Sequence, residues 1–211
     1  MGINYKTAEI ISEFTNRGLF KECDSVLDMG DMDLNLNFDQ IKTLCETYNL
    51  KFDASLFNRS KHFPERPRVS SSMFWKTIGL NTCERMDINA IKRDDNDNTN
   101  VIIKDLNFPL DQQNLYNKYN IVTDFGNNEH PFNIVEAYKT MHKVCKKNGY
   151  LIVQQALMGG NGFYQFDHCT IDSIAAVNSY SIIFSCFLIN KDNEIFSTQL
   201  DKKVLKILNL N

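Results

Sequence analysis

The 211-residue chain lacks three features that would each have assigned it a class. It has no long apolar run: the longest, Ile182 to Ile189, contains Ser185 and falls far short of the roughly 20 residues a membrane helix needs. It has no excess of one charge sign. With 23 basic and 26 acidic residues and a net charge of −3, a general nucleic-acid surface is not expected. It also has no Cys-x-x-Cys pair among its six cysteines, at 23, 45, 83, 145, 169 and 186. Most of these lie inside apolar runs, as expected of reduced core thiols in a cytoplasmic protein without a bound metal. The first residues, Met1 to Lys6, have no signal-peptide core, and Gly2 is not followed by Ser or Thr at the position N-myristoylation needs. There is no internal repeat and no domain-scale linker. What the chain does have is 43% hydrophobic residues, 15 Phe and 8 Tyr among them, which is ample for one core at this length.

Periodicity divides the chain into alternating elements. Residues 7–22 predict an amphipathic helix on Ile10, Ile11 and Phe14, and Ser25 to Met29 a short strand. Asn37 is placed to cap a helix bearing Ile41, Leu44, Cys45 and Tyr48. Residues 51–69 are irregular and lead to a short helix around Met73 to Leu80 closed by Gly79. Strands follow at Cys83 to Asp87, Val101 to Ile103 and Tyr119 to Thr123, with a polar turn over 93–100. Asn133 to Lys147 predicts a helix with Ile134, Tyr138, Met141 and Cys145 on one face and Lys143, Lys146 and Lys147 at its C-terminal end. Gly149 stops it before a strand at Tyr150 to Val153. A helix over 171–177, a long strand over 180–189 and a terminal strand pair complete the pattern. Strands alternating with helices imply a mostly parallel sheet covered on both faces, which binds ligands beyond the carboxyl ends of its strands.

Four of those strands end on an acid: Asp28, Asp87, Asp105 and Asp124. Aligned on one sheet edge, such acids can hold a ribose diol or an ammonium group, and Met29, Ile88, Leu106 and Phe125 beside them can flank an adenine. Taken singly, each has the plainer role of an Asp capping a turn or a helix. His130 and Glu129, just beyond the third of these acids to follow Asp28, are the candidate catalytic pair, with histidine the usual proton acceptor. A local capping role competes for His130. His168 comes next, His142 is expected to pack on its helix beside Tyr138, and His62 lies in a charged loop. Trp75 and Phe74 are placed either to roof the site or to fill the core.

These residues give the chain its resemblance to class I S-adenosylmethionine-dependent methyltransferases, with uncharacterised bacterial members the most similar. Ser25-Val26-Leu27-Asp28-Met29-Gly30 resembles that family's first motif, Cys83 through Asn89 its second strand, and Lys104-Asp105-Leu106 its adenine-contacting motif. Tyr119 to His130, which includes Asp124, Phe125 and Gly126, resembles the fourth strand and the loop after it. Lys146-Lys147-Asn148-Gly149 into Tyr150 to Val153 resembles the helix-glycine-strand step. The chain departs from the first motif, where the family has acid-x-Gly-x-Gly-x-Gly. Here Asp31, Met32 and Asp33 follow Gly30, so two glycines are missing. Carboxyl groups at 31 and 33 suit a sulfonium better than a phosphate. Asp28 and Asp87 are also 59 positions apart (87 − 28), against about 20 for the paired residues of a dinucleotide site.

The resemblance implies a Rossmann-like three-layer α/β sandwich with a mostly parallel seven-stranded sheet. It implies a single domain over 1–211 with a helical cap inserted at about 50–80, after the first strand. It implies S-adenosylmethionine as cofactor, with Asp28, Met29, Gly30, Asp31, Asp87, Ile88, Asp105, Leu106, Asp124, Phe125 and Gly126 around it. The acceptor would be an oxygen or nitrogen of a small molecule or glycan; neither a nucleic acid nor a membrane is an expected partner, and a homodimer is compatible. The alternative is a non-catalytic module that kept the fold. Gly159-Gly160-Asn161-Gly162 lacks the Lys-Ser/Thr pair of a phosphate loop and is expected to lie on the acceptor side.

Overall fold

A computed structural model describes residues 2–56, 69–89, 99–191 and 194–199. By its contacts the chain forms two compact units: residues 1–155 with 161–164, and residues 156–160 with 165–211. No helix among the described residues is long and apolar enough to cross a membrane.

The first unit is organised by five strands. In chain order they are β2 (Ser25–Met29), β5 (Thr82–Asp87), β6 (Asn100–Ile103), β7 (Tyr119–Phe125) and β8 (Cys145–Gln154). They pair in the order β6-β5-β2-β7-β8, every pair parallel. The strand order reverses about β2, so the crevice between the ends of β2 and β7 is the topological switch point where such sheets take ligands. The remaining strands of the unit, β1 (Gly2–Ile3), β3 (Asp33–Leu34) and β4 (Val69–Ser70), form a separate small sheet in the order β1-β3-β4. The Rossmann-like α/β architecture is therefore present, with five parallel strands among the described residues.

Two faces of one strand supply two cores. Along β2 every residue is buried, and alternate side chains go to opposite faces. Val26 joins Ile121 and Phe125 in a core that takes in α1 (Tyr5–Asn16), α2 (Phe38–Thr47) and α3 (Ser71–Thr77). Leu27 and Met29 join Met86, Val122 and the inner face of α4 (Ile134–Val144). Asp28 lies in register with Val26, which sends its carboxyl to the α3 face. Asn37 caps α2 as expected, in a reciprocal pair with Gln40 at 2.9 Å each way.

Several boundaries differ from the sequence reading. α1 begins at Tyr5, capped by Asn4, and ends at Asn16, because Gly18 takes a left-handed φ of +82°. α4 stops at Val144 instead of Lys147, and its buried face is Ala137, Thr140, Met141 and Val144. Cys145 already pairs with Tyr119, so Lys146 belongs to β8, where its ammonium reaches Asn120 at 3.0 Å instead of a helix end. The left-handed turn is made by Asn148, φ +62°; Gly149 is needed for space, since a Cβ there would lie 2.7 Å from the Asn120 carbonyl oxygen. Of the 50–80 segment, the described parts are a 3-10 turn at Ala54–Leu56, β4 and α3. Residues 57–68, with His62 among them, and most of the 93–100 turn lie outside the described residues.

The second unit contains α5 (Thr170–Val177) and an antiparallel pair, β9 (Cys186–Lys191) with β10 (Glu194–Gln199). The strand expected over 180–189 starts only at Cys186.

Candidate functional site

The carboxyl ends of β2, β5, β6 and β7 carry the acids that the sequence placed there, and the structure gives each a different set of partners. Asp28 is buried and fully enclosed. Ser71 donates to it at 2.5 Å, Trp75 Nε1 lies 3.1 Å from both carboxyl oxygens, and the Thr123 hydroxyl donates from the neighbouring strand. Burial pushes its pKa up, while these three donors and the Arg85 charge pull it down. Trp75 is therefore a core residue: it is fully buried, bonded to Asp28 and stacked on Phe125 at 6.4 Å, and it roofs nothing.

Beyond Asp28 the chain turns at Gly30, whose φ is +93°. Its amide donates to the Met86 carbonyl at 2.7 Å. A Cβ at this position would sit 2.6 Å from Asn127 Oδ1, so the loops after β2 and β7 touch here, across the switch point. Gly126 at the end of β7 also has a positive φ, +80°. Next to Gly30, Asp31 makes a buried ion pair with Arg85, 2.6 Å from Oδ1 to the guanidinium. No feature of the sequence pattern pointed to that pairing of residues 54 positions apart.

Asp87 is half-buried. One of its oxygens accepts the Asp31 amide at 2.8 Å and the other the Asn89 amide at 2.9 Å. An ionised carboxylate offers about four acceptor positions, so about half of its capacity is in use. Ile88, immediately after it, is 58% exposed, whereas Met29 and Leu106 are buried. Asp105 accepts from the amide and the side chain of Asn107, at 2.9 and 2.8 Å, in a tight turn. Asn107 in turn binds Asn133 at the start of α4, tying the β6 loop to the β7 loop. The acids do gather on one sheet edge, but Asp28 and Asp105 are occupied there by local partners.

The end of β7 carries a denser group. Asp124 is fully buried and accepts the amides of Asn127 at 2.8 Å and Asn128 at 3.1 Å, while Gln155 donates to its other oxygen. Burial raises its pKa to about 7, against the pull of those donors, and the nearby Glu129 adds to the rise. Glu129 is itself fully buried, and neither of its carboxyl oxygens has a hydrogen-bond partner among the described residues. His130, about half exposed, places Nε2 3.6 Å from Glu129 Oε1. Gly162 packs against the backbone of Glu129: a Cβ there would lie 2.3 Å from the Glu129 carbonyl oxygen. The amide of Phe163 donates to that same oxygen at 2.7 Å. The glycines expected on the acceptor side thus include one that fixes Glu129 in place. Exposed aromatics flank this edge, with Phe132 and Phe163 edge to face at 6.0 Å.

Two of the other histidines lie among the described residues. His142 is exposed on α4, where the sequence reading had it packed. His168, in the second unit, lies beside Asp167, 3.5 Å from Nδ1 to Oδ1.

No protein-family model matches the chain, and no curated protein matches it. Among solved structures, it is similar to the crystal structure of a SAM-dependent methyltransferase from Archaeoglobus fulgidus. The match has 15% sequence identity and a TM-score of 0.43, and it covers 96% of this chain and 84% of that one.

Proposed function

We propose that this protein is a methyltransferase that uses S-adenosylmethionine to methylate an oxygen or nitrogen of a small molecule or glycan. One observation carries the reading. On the strand beside the switch point of a parallel sheet, a half-used carboxyl (Asp87) followed by an exposed apolar residue (Ile88) faces the Gly30 turn across the hydrogen bond it accepts from the Asp31 amide. The residues fit the cofactor. Asp87 has acceptor positions left for a ribose diol, Ile88 offers an open face to an adenine, and the edge is acidic, as a sulfonium and an ammonium require. When bound, the cofactor supplies an electrophilic methyl group on a sulfonium.

The protein's own work is alignment and proton handling. His130 stands at the surface end of the β7 loop, and its imidazole takes the acceptor's proton at Nε2. The charge it gains is met by the Glu129 carboxyl 3.6 Å away. Glu129 is held by Gly162 and the Phe163 amide, so the pair presents a fixed geometry.

Calorimetric titration with S-adenosylmethionine and S-adenosylhomocysteine tests the reading, and absence of binding to either ligand refutes it. Asp87→Ala should weaken S-adenosylhomocysteine at least about tenfold, the equivalent of one hydrogen bond to a charged group. An unchanged affinity would overturn the ribose assignment. The buried Asp31–Arg85 pair, in the turn where two of the motif's glycines are missing, favours a second reading: a methyltransferase-like binding module without turnover. That reading expects ligand binding with no methyl transfer to any acceptor.

A further inference from the structure

The β7 end contains buried acceptors without donors. Both Glu129 oxygens, Asn128 Oδ1 and Gln155 Oε1 have no hydrogen-bond partner among the described residues. Turning over would cost each amide a contact that it makes now. Asn128 already directs its NH₂ at Met141 Sδ, at 3.1 Å, and Gln155 directs its NH₂ at Asp124. Both residues are bound to the same Asp124 carboxyl, one through its backbone amide and one through its side chain, so the acceptors belong to one neighbourhood. The nearest ionisable donor to Glu129 is His130 Nε2, and at 3.6 Å it is beyond hydrogen-bond distance. A buried carboxyl without a donor costs several kcal/mol, and such groups call for an ion or a ligand that completes them.

We infer that the Glu129 carboxyl, set beneath the half-exposed His130 and beside Asp124, is the seat of an ammonium group on the methyl acceptor, which makes the substrate a primary amine. This rests on the methyl-transfer reading and narrows it to nitrogen. An ammonium brings positive charge and three N–H donors to a place that has acceptors and lacks donors. An alcohol brings one donor and no charge, and a quaternary ammonium brings charge and no donor. The chemistry balances within the residues present. The ammonium gives one proton to His130 Nε2, and the freed nitrogen lone pair forms the new N–C bond. The S–C bond breaks with its electron pair kept on sulfur, leaving the neutral thioether. The product is a secondary ammonium, and the proton leaves from the exposed imidazole to solvent.

The test is carbon NMR of the full chain labelled at glutamate carboxyls, with the Glu129 resonance identified by its loss in Glu129→Gln. If that variant does not fold, Glu129→Asp removes the same glutamate signal and keeps the charge. The probes are ethylammonium, ethanol and tetramethylammonium chlorides or solutions at matched ionic strength. The inference expects a saturable shift of the Glu129 resonance with ethylammonium and none with the other two. No saturable shift, or an equal response to ethanol or tetramethylammonium, overturns it. S-adenosylhomocysteine titration of the same sample separates the two proposals. Binding without an ammonium response sinks the amine assignment alone, and an ammonium response without binding sinks the methyl-transfer reading, and the acceptor role with it, leaving Glu129 an ammonium site only.

Discussion

At the scale of single residues, the acids of the sheet edge illustrate how position and partner decide role. Asp28 and Asp87 lie near the ends of adjacent strands, two residues apart in register, yet one is enclosed and the other half-used. Both face the same side of the sheet, and the difference is depth: Asp87 lies at the strand end, two positions further out. Asp28 points into the α3 core, where Trp75, Ser71 and Thr123 meet it. Asp28→Ala leaves a buried indole N–H and two hydroxyls without their acceptor, and should lower stability by several kcal/mol, at about 1–3 kcal/mol for each unpaired group. Asp28→Asn keeps one acceptor and should lose less. Urea unfolding of the two variants measures this; equal loss in both would mean that the hydrogen bonds of the second oxygen carry no weight.

At the scale of elements, the turn after β2 is set by its neighbour. Gly30 is required twice over, by a φ of +93° and by Asn127 lying where a Cβ would go. Gly30→Ala should therefore cost more than the roughly 1 kcal/mol of an unfavourable φ alone, and it should displace the β7 loop against Asn127. The measurement is a thermal melt together with amide chemical shifts for 126–130; shifts confined to 28–32 would show that the two loops are not coupled. The strands at 25–29, 100–103 and 119–125 were legible in the sequence as short, mostly apolar runs ending in polar residues, whereas the one at 82–87, with Glu84 and Arg85 inside it, carried only a weak signal. The end of α4 was not. Lys143, Lys146 and Lys147 look like a cationic helix terminus, but Cys145 is taken by its pairing with Tyr119, a long-range demand that local spacing does not contain. The acids were legible as strand ends, while their partners were not: Arg85 meets Asp31 and Trp75 meets Asp28 across 54 and 47 positions. The bare acceptors around Glu129 left no trace in the sequence, because an unpaired group is a property of the packing around it.

At the scale of the whole molecule, Asp124 links the site to global stability. An unfolded Asp titrates near 3.9, whereas in the fold its pKa is raised to about 7, chiefly by burial. Between those values the folded state holds a proton that the unfolded state has released. The Asp124 contribution is therefore fully present below about pH 4, declines as pH rises toward 7, and is lost above it. Carboxyls with lowered pKa values, such as Asp53 and Asp167, act in the opposite sense, so the wild-type profile alone mixes the two. Asp124→Asn separates them. Its side-chain oxygen can still accept from Asn127 and Asn128, and the bare Gln155 Oε1 can turn to accept from the new NH₂. The variant should match wild type near pH 4 and become progressively more stable than it up to about pH 7. At about 1.4 kcal/mol per pH unit of that window, the gain at pH 8 is on the order of a few kcal/mol. Chemical denaturation at pH 4, 6 and 8 gives the difference directly; a constant offset across the three would mean that Asp124 does not change protonation in this range. Amine binding adds a further turn to the linkage. A cation seated at Glu129 favours ionised neighbours, so saturating ethylammonium should shrink the advantage of Asp124→Asn at pH 8, because the wild-type carboxyl then gains a charge partner that the amide cannot use.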